Sequence, residues 1–125
     1  MIGWPTTGRY RAWLTACFVL SAAGHPGMAG QTSADNIEAE VEAILAISAD
    51  PAYGAYLGGE CATCHRASGA APGIPQIAGL PRDHFVLALV EYRAGLRDND
   101  VMRTTAARLK DDEIAALAAH FAAAD

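Results

Sequence analysis

Apolar residues recur every three or four positions along most of the chain, which is the spacing of one face of an α-helix. No stretch alternates apolar and polar residues as a strand does, so the pattern predicts an all-α protein. The first helix, capped by Asp35 and extending over 37–47, is expected to have one apolar and one acidic face. The two faces are formed by Ile37, Val41, Ile44 and Leu45, and by Glu38, Glu40 and Glu42.

The second predicted helix begins at Asp50-Pro51, because proline is favoured at the first position of a helix. Gly58-Gly59 is expected to end it. The segment 66–80 that follows contains several glycines and prolines and is predicted to be a loop. The preceding helix over 37–47 either packs on this domain as an extra element or serves as a docking helix for a partner.

Two further helices are predicted in the C-terminal half. Asp83 is expected to cap the first of them, and Gly95 is expected to close it. The other begins near Asp111, after a loop over 96–109. Each helix carries an apolar face, formed by Phe85, Leu89 and Tyr92 in one and by Ile114, Leu117 and Phe121 in the other.

Cys61-x-x-Cys64-His65 is the stretch with the clearest chemistry. Two thiols at this spacing can add to the two vinyl groups of a haem, and the histidine that follows can bind the iron. The alternatives are a redox-active thiol pair and half of a zinc site. A redox pair gives no reason for the histidine, and no nearby cysteine completes a zinc site. The motif therefore predicts one covalently attached haem c, with His65 as an iron ligand.

Met102 is the one methionine downstream of this motif, and it lies in the predicted loop 96–109. A thioether is a suitable second ligand for the iron of electron-transfer haem proteins, where it raises the potential. The alternatives are that Met102 fills the core or that His84 or His120 binds the iron. Both histidines lie on predicted helices, where surface and packing roles are common.

The N-terminus has the layout of a secretory signal. Arg9 and Arg11 precede an apolar run over 12–24, and small residues follow as far as Ala29. The run is shorter than the roughly 20 apolar residues of a spanning helix, so no stable membrane span is expected. The alternative is an uncleaved anchor that lies in the membrane interface. A cleaved signal over 1–29 predicts export to the periplasm.

The expected organisation is a signal peptide, then an extra helical segment over 30–49, then a haem domain over 50–125. The whole chain has a formal net charge of −5, and its fourteen acidic residues all follow the signal. This acidic balance argues against nucleic acid or an anionic membrane as a partner. A domain of this size has a marginal core by itself, which a buried porphyrin would complete.

Several motifs occur in the order that is typical of a small bacterial class I cytochrome c, and the chain resembles this family over about 51–123. They are Gly54-x-x-Leu57, Cys61-x-x-Cys64-His65, Ile74-Pro75-x-Ile77-x-Gly79, Tyr92-x-x-Gly95-x-Arg97, Val101-Met102 and the C-terminal run 109–121. The chain resembles most the cytochrome subunit of flavocytochrome c sulfide dehydrogenase and related monohaem and dihaem carriers. The resemblance implies helices wrapped around one covalently bound haem.

The resemblance also implies roles for residues around the iron. Met102 is implied as the second axial ligand, and the Pro75 carbonyl as the acceptor of the Nδ1 proton of His65. Arg97 is implied to approach a haem propionate, and a solvated arginine is the alternative.

Three further residues bear on the packing that the family implies. Gly54 is implied to let its helix cross the last helix closely, near Phe121. Lys110 stands where the family often has a serine or threonine cap, so Asp111 is expected to cap the last helix instead. His120 stands where an aromatic residue is common, which implies looser packing or a hydrogen-bonded substitute.

An iron with both axial positions filled by protein has no open site for oxygen or peroxide, which favours electron transfer over catalysis. The expected function is single-electron transfer as the redox partner or subunit of a flavoprotein such as sulfide dehydrogenase. The alternatives are a free carrier to a terminal oxidase or photosynthetic centre, and a haem sensor or peroxidase-like enzyme with an open iron site. Four arginines bracket Met102 and either form a docking patch for an acidic partner or lie scattered: Arg93, Arg97, Arg103 and Arg108.

Overall fold

A computed structural model of the chain describes residues 28–66 and 71–124. These residues form five helices and no strand, so the predicted all-helical class is confirmed for them, with one helix more than the four predicted. In chain order the helices are α1 Met28–Leu45, α2 Pro51–Cys64, α3 Arg82–Arg93, α4 Asp100–Ala106 and α5 Asp111–Ala122. None of these helices is long and apolar enough to cross a membrane. The predicted signal peptide lies outside the described residues up to position 27.

The core forms around α5, which contacts α1, α2 and α3. The predicted apolar face of α5 is confirmed, since its isoleucine, leucine and phenylalanine are at most 5% exposed. Phe85 of α3 stacks on Phe121 with 5.5 Å between the ring centroids. Burial of these faces removes apolar surface from water, which is the main favourable contribution to the folded state.

The extra helix α1 packs on the same core, as the first of its two interpretations predicts. It contacts α3 and α5, and its Ile44 is fully buried. The predicted cap at Asp35 is wrong, because the helix begins seven residues earlier and includes this aspartate. Glu40 does not simply face water, since its carboxylate pairs with Arg93 of α3.

Helix α2 begins as predicted, with the Asp50 side chain accepting a hydrogen bond from the Ala52 N–H at 2.8 Å. The predicted end at Gly58-Gly59 is wrong, because the helix continues to Cys64. Gly58 is buried against α5, and a Cβ atom there would lie 3.2 Å from the Phe121 ring. The glycine therefore serves close packing rather than helix termination.

The C-terminal helices correct three further predictions. Helix α3 follows Pro81 without a side-chain cap, and Asp83 lies in its first turn. Helix α4 occupies the middle of the predicted loop 96–109. It was not predicted because its seven residues are too few to show a helical period. Helix α5 begins at Asp111 as predicted, but the Glu113 carboxylate accepts the Lys110 N–H at 2.8 Å and Asp111 does not cap.

Helix α3 ends as predicted at Gly95, which has a φ of +75°. Its N–H donates to the Tyr92 carbonyl, and the Leu96 N–H donates to the Glu91 carbonyl at 2.8 Å. These two bonds form a Schellman motif, in which glycine adopts the left-handed conformation without a steric penalty. The motif turns the chain toward α4.

Candidate functional site

Both motif cysteines lie in the last turn of α2 and are free thiols. Cys61 is half-buried against the core, and this burial raises the pKa of its thiol. The carbonyl end of a helix also disfavours a thiolate, because it carries a partial negative charge. Redox-active thiol pairs have a lowered pKa, typically at the opposite end of a helix. The position of the two cysteines therefore disfavours the redox-pair alternative.

The zinc alternative also lacks support. Among the described residues, no three histidine, cysteine, aspartate or glutamate side chains lie close enough together to hold a metal ion. A structural zinc site needs four such ligands. A haem iron differs, because the porphyrin supplies four nitrogens and the protein supplies only the axial ligands.

His65 is held in one orientation at the end of α2. Its backbone N–H donates to the Cys61 carbonyl at 2.9 Å, and its ring Nδ1 lies 2.7 Å from the Pro75 carbonyl oxygen. A carbonyl only accepts, so the proton of the neutral imidazole resides on Nδ1. Nε2 then carries no proton and keeps its lone pair. It is the ring atom that a metal would bind.

The loop that carries Pro75 is braced by a turn of its own before the proline and is anchored on the core after it. A turn joins the Ala71 carbonyl to the Ile74 N–H at 2.9 Å, and Ile77 is buried. The Gly79 N–H then donates to the Phe121 carbonyl at 2.9 Å. An open cleft of about 390 Å³ lies between this loop and the end of α2, lined by Thr63, Cys64, Arg66, Ala71 and Ile74.

Met102 lies in the first turn of α4 rather than in a loop. Its side chain is half-buried against the core, and its N–H donates to the Asn99 side chain at 3.0 Å. Asparagine is a favoured cap of helix N-termini, and Asn99 is a site residue that the sequence analysis missed. The Asn99-Asp100 pair before Val101 was the signal for it.

The thiols and His65 lie on a different element from Met102. Helix α2 packs on α5, α4 packs on α3, and α2 and α4 make no close backbone contact with each other. A pair of thiols, an imidazole with a free Nε2 and a thioether are the donors that a covalently attached haem requires. The residues present therefore fit this group: the cysteines and His65 would hold it from α2, and Met102 would hold it from α4.

The arginines near Met102 do not form a free basic patch. Three of the four pair with carboxylates: Arg93 with Glu40 and Asp111, Arg97 with Glu91, and Arg103 with Asp98 and Asp100. Arg108 is exposed and has no ion pair with the described residues. Most of these guanidinium charges are therefore balanced by a neighbouring carboxylate. Arg97 also lies over the Tyr92 ring, 5.1 Å from the centroid.

The two downstream histidines occupy surface and packing positions. His84 is exposed, with its Nε2 4.0 Å from the Asp83 carboxylate. His120 is half-buried on α5, with its ring edge-on to Phe121 and directly above Gly58. His120 thus fills the space over this glycine.

Fold and site together define an all-helical domain with a Cys-x-x-Cys-His motif at the end of one helix and a methionine on another. No protein-family profile matches the chain. Over 62 residues it is 42% identical to a protein of Stutzerimonas stutzeri (strain A1501) that is named thiosulfate dehydrogenase electron acceptor. The match covers 47% of this chain and 29% of that protein, so the chain spans less than a third of its relative's length.

Proposed function

We propose that the protein is a periplasmic monohaem cytochrome c of class I that transfers single electrons. The observation that carries the proposal is the hydrogen bond between the His65 ring and the Pro75 carbonyl. His65 directly follows the second of two free cysteines. The hydrogen bond leaves the one imidazole nitrogen that an iron would need without a proton. Bound haem would supply exchange between ferric and ferrous iron.

Each residue of the site has a distinct task in this proposal. Cys61 and Cys64 would hold the porphyrin through thioether bonds, and His65 and Met102 would bind the iron. The Pro75 carbonyl orients the imidazole and keeps its proton on Nδ1. With the side chains of His65 and Met102 both on the iron, small molecules would have no open site there, and the protein would pass electrons to or from a partner that performs the chemistry.

The proposed partner is a dehydrogenase that oxidises an inorganic sulfur compound. The relative from Stutzerimonas is named as the electron acceptor of a thiosulfate dehydrogenase. This name supports an electron-accepting role next to a dehydrogenase, and it favours thiosulfate over sulfide as the compound oxidised. A flavoprotein sulfide dehydrogenase is the second candidate partner, because the motifs of this chain resemble those of the cytochrome subunit of that enzyme.

The visible spectrum tests the proposed coordination. The protein would be produced with a c-type maturation system and measured oxidised, reduced, and reduced with carbon monoxide. We expect a low-spin spectrum, a weak sulfur-to-iron band in the oxidised form, and no change on adding carbon monoxide. A high-spin spectrum or ready binding of carbon monoxide would instead support a haem sensor or a peroxidase-like enzyme.

Reduction kinetics test the proposed partner. The oxidised protein would be mixed with catalytic amounts of a thiosulfate dehydrogenase and thiosulfate, and in parallel with a flavoprotein sulfide dehydrogenase and sulfide. Faster reduction in the first mixture is expected. Reduction in neither mixture would contradict a sulfur-compound dehydrogenase as donor and favour the free carrier that serves a terminal oxidase or photosynthetic centre.

A further inference from the structure

Arg93 links the extra helix α1 to the segment that carries Met102. Its guanidinium is about one-fifth exposed and donates to the Glu40 carboxylate of α1 and, at 2.8 Å, to the Asp111 carboxylate of α5. It also donates to the Leu109 carbonyl at 3.1 Å. Burial opposes its charge, but the two carboxylates outweigh this effect and raise the pKa of Arg93. The guanidinium therefore stays charged and holds three helices together.

Two of these contacts lie on the connection that leaves α4. Leu109 is half-buried against the core, and Asp111 begins α5. Arg93 thus fixes the end of the chain segment that starts at Met102. Without this anchor, the connection over 107–110 would be held by its own turns, the Leu109 side chain and the hydrogen bond from the Lys110 N–H to the Glu113 carboxylate.

A second arginine holds the chain on the other side of α4. Arg103 donates to the Arg97 carbonyl at 2.8 Å and to the Gly95 carbonyl at 3.2 Å. Its side chain also pairs with the Asp98 carboxylate at 2.7 Å. The loop that enters α4 and the connection that leaves it are therefore each held by a guanidinium.

Helix α4 needs these anchors because it has seven residues. Isolated helices shorter than about 12 residues are marginal in water, so the position of such a helix depends on tertiary contacts. A loosened anchor lets the helix occupy a wider range of positions. The side chain of Met102 would then spend less time where an iron ligand must be.

We propose that Glu40 is a positioning residue for Met102. Glu40 acts by orienting Arg93 against Leu109 and Asp111. The inference rests on the proposed function, since ligation by Met102 is the property that Glu40 would stabilise. It assigns a role in the haem site to α1, a helix that lies before the region resembling cytochromes c.

Charge-matched variants test this inference in the haem-loaded protein. Glu40→Gln removes the ion pair, and Glu42→Gln removes the same charge from an exposed position of the same helix. Arg93→Lys keeps the charge but loses the planar fork that reaches several acceptors at once. Imidazole would be titrated into each oxidised protein, and the sulfur-to-iron band would report displacement of Met102. Haem content and the unfolding temperature would be measured alongside.

We expect Glu40→Gln to raise the apparent affinity for imidazole by roughly two- to fivefold. The loss of a partly exposed ion pair changes an equilibrium constant by about this factor. Arg93→Lys should shift the affinity in the same direction, and Glu42→Gln should bind imidazole as the wild type does. Equal affinities in Glu40→Gln, Glu42→Gln and the wild type would overturn the inference alone. A wild type that lacks the sulfur-to-iron band would overturn ligation by Met102, and the inference with it.

Discussion

At the scale of single residues, the chemistry of His65 depends on one hydrogen bond. The sequence places the imidazole next to two thiols, but it does not determine which ring nitrogen carries the proton. The Pro75 carbonyl decides this, because an oxygen 2.7 Å away can only accept. A neutral histidine with its proton on Nδ1 can bind a metal only through Nε2.

Met102 offers the sharpest residue-level prediction. Met102→Leu keeps a similar volume, so we expect a loss of stability below about 1.5 kcal/mol from packing. The haem should stay attached through Cys61 and Cys64, while the sulfur-to-iron band disappears completely and the reduced protein binds carbon monoxide. Absorption spectra of the oxidised and reduced variant provide the measurement.

Val101→Ala is the matched control for this substitution. Val101 precedes Met102 on α4 and is 71% exposed, so its truncation removes little packing. The control should keep the band and resist carbon monoxide. A Met102→Leu protein that stays low-spin and still excludes carbon monoxide would show that another side chain, such as one of the downstream histidines, binds the iron.

At the scale of helices, glycines determine how closely α2 and α5 approach. A Cβ atom on Gly54 would lie 2.0 Å from the Ala116 carbonyl oxygen, and one on Gly59 would have no neighbour within 4 Å. Three glycines of one helix therefore have different roles, although the sequence presents them alike. The resemblance to cytochromes c predicted the close approach at Gly54, and the structure shows it at Ala116, with Gly58 next to Phe121.

Substitution by alanine separates these roles. Gly54→Ala should lower the free energy of unfolding by about 1–3 kcal/mol or more, because the added methyl group meets backbone that cannot move independently. Gly59→Ala should be neutral or should stabilise the protein by about 0.5–1 kcal/mol, as expected for glycine in the interior of a helix. Thermal unfolding of both variants in the haem-loaded form tests the pair. Equal effects would contradict the close crossing.

Helix boundaries were predictable where a local signal acts and not where packing acts. Asp50-Pro51 and Gly95 set a boundary through their own backbone, and both predictions are confirmed. Gly58-Gly59 resembles a stop, yet α2 continues because burial of Gly58 against α5 outweighs the low helix propensity of glycine.

At the scale of the whole molecule, α1 belongs to the same core as the region that resembles cytochromes c. Ile44 is completely buried among residues of α3 and α5. Ile44→Ala should therefore lower the free energy of unfolding by about 2–5 kcal/mol through lost burial and the cavity that remains. Chemical denaturation of the haem-loaded protein, followed by far-UV circular dichroism, is the measurement.

Leu96→Ala provides the control for Ile44→Ala. Leu96 is 61% exposed in the turn that follows α3, so truncation of its side chain should change stability by no more than about 0.5 kcal/mol. Similar effects of the two substitutions would mean that α1 is only loosely attached.

The arginines near Met102 are grouped differently in the folded protein than their sequence positions suggest. The sequence places four arginines around Met102, and their spacing allows a basic docking patch. In the folded protein, most of these charges are paired with carboxylates from other helices or from the adjoining loop. Arg93 and Arg103 therefore hold the segments that flank α4, and their paired charges contribute less to the steering of an acidic partner than free charges would.

The sequence by itself determined the helical class, the starts of α2 and α5, the apolar faces and the candidate haem ligands. These features depend on residue type and short spacing, which act through local backbone geometry and the burial of one face. Tertiary structure alone decided that α2 continues through Gly58, that α4 exists, and that Arg93 joins α1 to α5. Each of these depends on residues far apart in the chain, whose contacts outweigh local preference only once the helices have packed.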